Sequence, residues 1–187
     1  MTRTFARLFL RLSGWQPEGN APTCKRYVLI ASPHTSNWDL AYMLAIASVL
    51  RVKIHWMGKH TLFRFPLGWL MRSVGGIAID RRAQHGVVKQ VADRLKEADE
   101  LVMVVPPEGT RRASKYWKSG FYHIAREAQV PVVCGFLDYR RKRGGFGPAI
   151  ELSGNVRADM DRFREFYAPI QGKFPQKATP PRLREEE

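Results

Sequence analysis

Apolar side chains in the first fifteen residues recur at helical spacing. Phe5, Leu8, Phe9 and Leu12 fall largely on one side, with Trp15 just beyond. Arg3, Arg7 and Arg11 form a stripe on the other side. The pattern predicts an amphipathic helix over residues 1–15. It suits a helix lying in a bilayer interface, and equally a terminal helix docked on its own domain with its arginines in water. A polar connector with Pro and Gly covers residues 14–23. Tyr27-Val-Leu-Ile-Ala then reads as a buried strand that ends by Pro33. A helix is expected from about Trp38 to Leu50, capped by Asn37 or Ser36. Val52 to Trp56 alternates apolar and polar side chains, as a second strand would. The aromatic, proline-broken stretch from Leu62 to Met71 predicts short helices, and Gly75-Gly76 leads into a short strand over Ile77–Ile79.

Further along, Val87, Val88, Val91 and Leu95 mark a helix within residues 84–98. Leu101 to Val105 is an unbroken apolar run, the signature of a central parallel strand. A glycine-bearing loop, Pro107 to Arg112, follows it. Residues 118–129 read as a helix and Val130 to Phe136 as a strand. The basic run from Arg140 to Arg143 and the stretch from Gly144 to Pro148 read as a surface loop or hairpin, with a short strand over Ile150–Leu152. A last helix spans Met160 to Tyr167. Strands alternating with helices argue a three-layer α/β single domain with a mostly parallel or mixed sheet flanked by helices. The expected organisation is an N-terminal helix at 1–15, one domain at 16–172, and a Pro- and charge-rich tail at 173–187 with little order.

Charge adds a constraint. The 187 residues carry 31 Lys and Arg against 17 acidic side chains, a formal net charge of +14. Such a surface attracts polyanions: nucleic acid, anionic lipid or acidic small substrates. No run reaches the ~18 apolar residues of a spanning helix, and the N-terminus lacks the order of a secretion signal. The two cysteines, Cys24 and Cys134, are too far apart for a metal knuckle and suggest no disulfide framework.

Three clusters can carry chemistry. His34 and Asp39 flank a predicted strand-to-helix junction, in the run Pro33-His-Thr-Ser-Asn-Trp-Asp39. Sites in open α/β sheets lie beyond the carboxyl ends of strands. With His34 in the loop and Asp39 in the first helical turn, the carboxylate can accept the proton-bearing ring nitrogen and leave the other as a base. Asp39 could instead only stabilise the helix start. Pro107-Glu-Gly-Thr-Arg-Arg112 follows the strongest strand. Gly109 allows a tight turn, and Glu108 and Arg111 can hold a polar substrate, or simply be solvated. In Gly76-Ile-Ala-Ile-Asp-Arg81, Arg81 can reach the same cleft or pair with Asp80.

These blocks together resemble the glycerolipid acyltransferase family, which includes bacterial lysophosphatidic acid acyltransferases. A histidine, four residues and an aspartate match His34 and Asp39. Glycine, an apolar strand and arginine match Gly76 to Arg81. Glu-Gly-Thr-Arg is intact at Glu108 to Arg111, and Val130-Pro131-Val132-Val133 resembles the fourth block. HTSNWD and LFRFPLGWLM further resemble a short bacterial branch. The resemblance implies that His34 is the general base and Asp39 its orienting partner. Arg81, Glu108 and Arg111 would bind a glycerol phosphate in a pocket shaped by Gly109 and Thr110. It implies no cofactor, with acyl-CoA or acyl-acyl carrier protein as co-substrate and a lysophospholipid or glycerol-phosphate-like hydroxyl as acceptor. The expected location is cytoplasmic, peripheral on the inner face of the cell membrane and in contact with its anionic surface. Departures include Pro33 where many members have asparagine, Cys134-Gly135 after the fourth block, and a short basic start in place of hydrophobic anchoring helices. These leave room for a non-glycerophosphate lipid acceptor or a non-catalytic lipid-binding relative.

Other classes fit less well. The basic residues are dispersed and carry no zinc-finger or RNA-binding signature, so no nucleic acid is expected. A hydrolase would need a Gly-x-Ser-x-Gly elbow, which is missing, and the histidines are too scattered for a metal centre.

Overall fold

The computed structural model describes residues 2–79 and 84–187. Its centre is a seven-stranded mixed sheet. In chain order the strands are β1 (Gln16–Glu18), β2 (Arg26–Ser32), β3 (Ile54–Lys59), β4 (Gly76–Ile79), β5 (Leu101–Val105), β6 (Val132–Asp138) and β7 (Arg143–Ile150). Across the sheet they run β1-β7-β6-β2-β5-β3-β4. β6, β2, β5, β3 and β4 are mutually parallel, while β7 runs antiparallel to β6. The helices are α1 (Arg3–Ser13), α2 (Trp38–Val49), α3 (Gly68–Ser73), α4 (Gln84–Glu97), α5 (Gly120–Ala128) and α6 (Val156–Tyr167). This is the three-layer α/β arrangement expected from the alternation of elements.

The two sheet faces are filled by different helices. β2 exposes Val28 and Ile30 to one face and Tyr27 and Leu29 to the other, as strand alternation requires. On the first face, Val91 and Leu95 of α4, Phe121 and Ile124 of α5, and Phe163 of α6 close a continuous core. On the second face lie α2, the 3-10 turn His60–Phe63 and α3, with Leu44, Ala47, Phe63 and Met71 among the packed residues. α1 lies against α2 as a further layer: Ala6 and Leu10 pack with Ala45, Ile46 and Leu137. Gly14, at φ 75°, ends α1 in the left-handed region.

Three segments differ from their sequence reading. Residues 16–18, expected in a connector, pair as β1 with β7. Residues 143–150 form a full strand rather than a loop with a short strand after it. Glycine hides that strand in the sequence because its β-propensity is low. Here glycine is needed, since a Cβ on Gly145 would stand 1.7 Å from the Glu18 carbonyl oxygen. The tail, expected to have little order, lies along α5 and α6. Leu183 is buried, and the Trp117 indole donates to the Thr179 carbonyl at 3.0 Å. No helix among the described residues is long and apolar enough to cross a membrane.

Candidate active site

Parallel register brings the carboxyl ends of β2, β3, β5 and β6 to one edge, and the loops there form the site. After β2 the chain turns through Pro33 and His34 into α2. His34 Nδ1 lies 3.1 Å from Asp39 Oδ2. The same oxygen accepts the Thr35 and Ser36 backbone N–H groups, both at 2.9 Å. The Tyr139 hydroxyl donates to Asp39 Oδ1 at 2.6 Å. Asp39 is therefore a buried carboxylate with both oxygens occupied, in the first turn of α2 where the helix dipole favours negative charge. Such an acceptor fixes the proton of His34 on Nδ1 and leaves the Nε2 lone pair free for a substrate proton. Of the two expected caps of α2, Ser36 makes the bond. Asn37 makes no capping bond, whereas Ser36 Oγ accepts from Trp38 N at 3.2 Å.

Glu108 faces inward, toward the His34 loop. It is completely buried, and its Oε1 accepts from the His34 backbone N–H at 2.6 Å and from Ser32 Oγ at 3.1 Å. Its other oxygen, Oε2, is buried with no hydrogen-bond partner of good geometry among the described residues. Burial pushes the carboxyl above its ordinary range, against the pull of the His34 and Ser32 hydrogen bonds. The side chain holds the His34 loop from beneath. Gly109, at φ 66°, makes the turn that sends Glu108 inward. Thr110 and Arg111 then line the adjoining cavity with Gly109. Arg81 lies outside the described residues.

That cavity has a volume of about 680 Å³. It lies on the α2 face of the sheet, walled by apolar residues such as Leu29, Val104, Met43, Trp56 and Phe136. His34, Thr61, Thr110 and Arg111 supply polar atoms to the same lining. Leu62 and Met71, from the aromatic stretch, also contribute. One cavity thus offers apolar walls beside an imidazole and a guanidinium.

Tyr139 is the member of the site that the sequence did not disclose. It follows β6, and it comes within reach of Asp39 because β6 pairs with β2. Its ring meets Trp15 and Tyr42 edge-on, with centroids 4.8 and 5.9 Å away. Burial and the Asp39 carboxylate hold its hydroxyl far above the ordinary tyrosine value, so it stays a donor. The signal available in sequence was slight: a lone tyrosine just past a predicted strand. The tail also reaches the site, since Phe174 N donates to Thr35 Oγ1 at 3.3 Å.

Comparison with known proteins agrees with this geometry. No curated protein sequence matches the chain. A solved structure, the 1-acyl-sn-glycerophosphate (LPA) acyltransferase PlsC from Thermotoga maritima, shares the fold with a TM-score of 0.61 at 17% identity, over 88% of this chain and 73% of that one. The profile of the family described as Acyltransferase matches residues 16–135, which include β1 to β5, His34, Asp39 and the Glu108–Arg111 loop. The chain belongs to the acyltransferase family and is an acyl-transferring enzyme.

Proposed function

We propose that this enzyme moves a fatty acyl group from acyl-CoA or acyl-acyl carrier protein to a hydroxyl of a lysophospholipid or glycerol-phosphate-type acceptor. The observation that carries the reading is the oriented His34–Asp39 pair on the wall of a large apolar cavity. His34 Nε2 takes the acceptor's hydroxyl proton as the oxygen attacks the thioester carbonyl. The tetrahedral intermediate then collapses, the carbon–sulfur bond breaks, and the imidazolium returns the proton to the departing thiolate. Asp39 stabilises the imidazolium between the two transfers. The nucleophile is the acceptor itself, so no acyl-enzyme forms. The apolar cavity takes the acyl chain.

Arg111, with Arg81 and the Gly109–Thr110 turn, grips the acceptor phosphate. Glu108 serves as a positioning residue under His34. Glycerophosphate as acceptor is supported by the resemblance of the four motif blocks and by the fold shared with the Thermotoga LPA acyltransferase. The enzyme works as a peripheral protein on the inner face of the cell membrane. α1 supports that placement because it is docked on one face and presents exposed Phe5, Leu8 and Leu12 on another.

The test supplies purified protein with labelled acyl-CoA and acyl carrier protein thioesters and a panel of acceptors: lysophospholipids, glycerol phosphate and amino-acid lipids. Acylation of a phosphate-bearing acceptor, lost by a factor of about 100 or more in His34→Ala, is the expected result. No acylated acceptor, or an unchanged rate in His34→Ala, overturns the reading.

A further inference from the structure

The segment after β3 is built to hold apolar side chains in water. Phe63 turns inward, 6% exposed, and its ring lies 6.0 Å from that of Trp56. Gly68 is buried, and a Cβ there would stand 2.1 Å from the Phe63 carbonyl oxygen, so the return of the chain requires glycine. Gly68 N donates to the Arg64 carbonyl at 2.9 Å, and Met71 N to the Leu67 carbonyl at 3.0 Å. The base of the segment is thus closed. Its outer side chains are the opposite: Phe65 is 96%, Trp69 71% and Leu67 56% exposed. Exposed apolar groups clustered within five residues mark a surface that something covers.

Charge identifies what covers it. Residues 40–79 contain no Asp or Glu, but they include Arg51, Lys53, Lys59, Arg64 and Arg72. Arg64 and Arg72 are exposed within the segment itself. Aromatic side chains beside arginines, in a stretch of sequence without acidic residues, match an anionic bilayer surface, where rings enter the headgroup layer and guanidiniums meet lipid phosphates. The same segment contributes Thr61, Leu62 and Met71 to the wall of the cavity. Its outer face therefore adjoins the volume that would receive an acyl chain.

We infer that residues 64–70 form a membrane-embedding protrusion, separate from α1, which seats the protein on an anionic bilayer beside the cavity. The advantage to catalysis rests on the lipid acyl-transfer reading; the binding itself does not.

The experiment uses the full chain with Phe65→Ser and Trp69→Ser combined. Both positions are exposed, so the thermal midpoint should stay near that of the parent. Co-sedimentation with phosphatidylcholine vesicles containing phosphatidylglycerol should show binding weakened by roughly tenfold or more. Acyl transfer to a short-chain, water-soluble acceptor should be unchanged. Equal vesicle binding by variant and parent overturns the proposal. So does a parent that self-associates in light scattering through these side chains, with vesicle binding indifferent to them. A parent that binds vesicles through Phe65 and Trp69 but acylates nothing would sink the catalytic reading and leave the docking surface standing.

Discussion

Asp39 accepts from His34, Thr35, Ser36 and Tyr139, and each donor helps to hold the carboxylate against the His34 ring. The two backbone donors are local and follow from the turn into α2. The Tyr139 hydroxyl is not local, and it draws charge from Oδ1. Tyr139→Phe keeps the ring and its contacts with Trp15 and Tyr42 and deletes only that donor. Asp39 is then held by three donors instead of four, and its carboxylate is freer to turn away from His34 Nδ1. kcat should fall about 3- to 10-fold, with KM for the thioester retained and the thermal midpoint near that of the parent. A purely structural role would instead lower the thermal midpoint together with the rate. The base and its partner were legible in the sequence because five residues at a strand-to-helix junction define them. Tyr139 was not legible, since its place depends on β6 lying beside β2 in register. The burial of Glu108 beneath the His34 loop was not legible, because a motif gives identity and order while packing decides direction.

Elements carry the next level. The sequence of α1 left two readings open, interfacial anchor and docked helix, and the structure shows features of both. Ala6 and Leu10 are buried against α2, while Phe5, Leu8 and Leu12 stay exposed, and Arg7 and Arg11 are exposed with them. Removing residues 2–14 would uncover Ala45, Ile46 and Leu137, so loss of binding after deletion would confound anchoring with unfolding. Arg7→Glu with Arg11→Glu avoids this, since neither side chain is in the core. The double variant should bind anionic vesicles at least several-fold more weakly, with binding to neutral vesicles nearly unchanged. Salt should erase most of the difference, because the Debye length falls to ~3 Å at 1 M. Vesicle titrations at two ionic strengths measure both effects, and equal anionic binding before and after charge reversal would end the anchor role of α1. Elements with strong periodicity, such as β5 and α4, were readable because their burial pattern is their sequence pattern. β7 was not, because its Gly144, Gly145 and Gly147 answer to crowding by neighbouring chain. A Cβ at Gly147 would meet the Phe166 ring at 2.2 Å.

At the scale of the whole molecule, the two sheet faces do different work. α4, α5 and α6 close one face with interlocked aromatic side chains, such as Phe121 and Phe163 with ring centroids 5.8 Å apart. The other face is left open between α2 and the sheet as the cavity of about 680 Å³. The general layering was visible in the alternation of strands and helices, but an unfilled volume has no sequence signature. Leu, Met and Phe read the same whether they touch each other or a substrate. If the volume receives the acyl chain, its depth sets the chain length that fits. Ala47 is buried on α2 and lines the cavity. Ala47→Leu adds three carbons into open space, so the fold should tolerate it better than a well-packed core would. The terminal methylenes of a long acyl chain would then have no place. Each buried methylene contributes about 0.8 kcal/mol, so displacing two or three should lower kcat/KM for a palmitoyl donor by ~10- to 100-fold. An octanoyl donor, too short to reach the new side chain, should be used as before. Competition between the two thioesters reads this ratio directly. An unchanged ratio in the folded variant would mean that the acyl chain lies elsewhere, and that the cavity beside His34 receives only the acceptor.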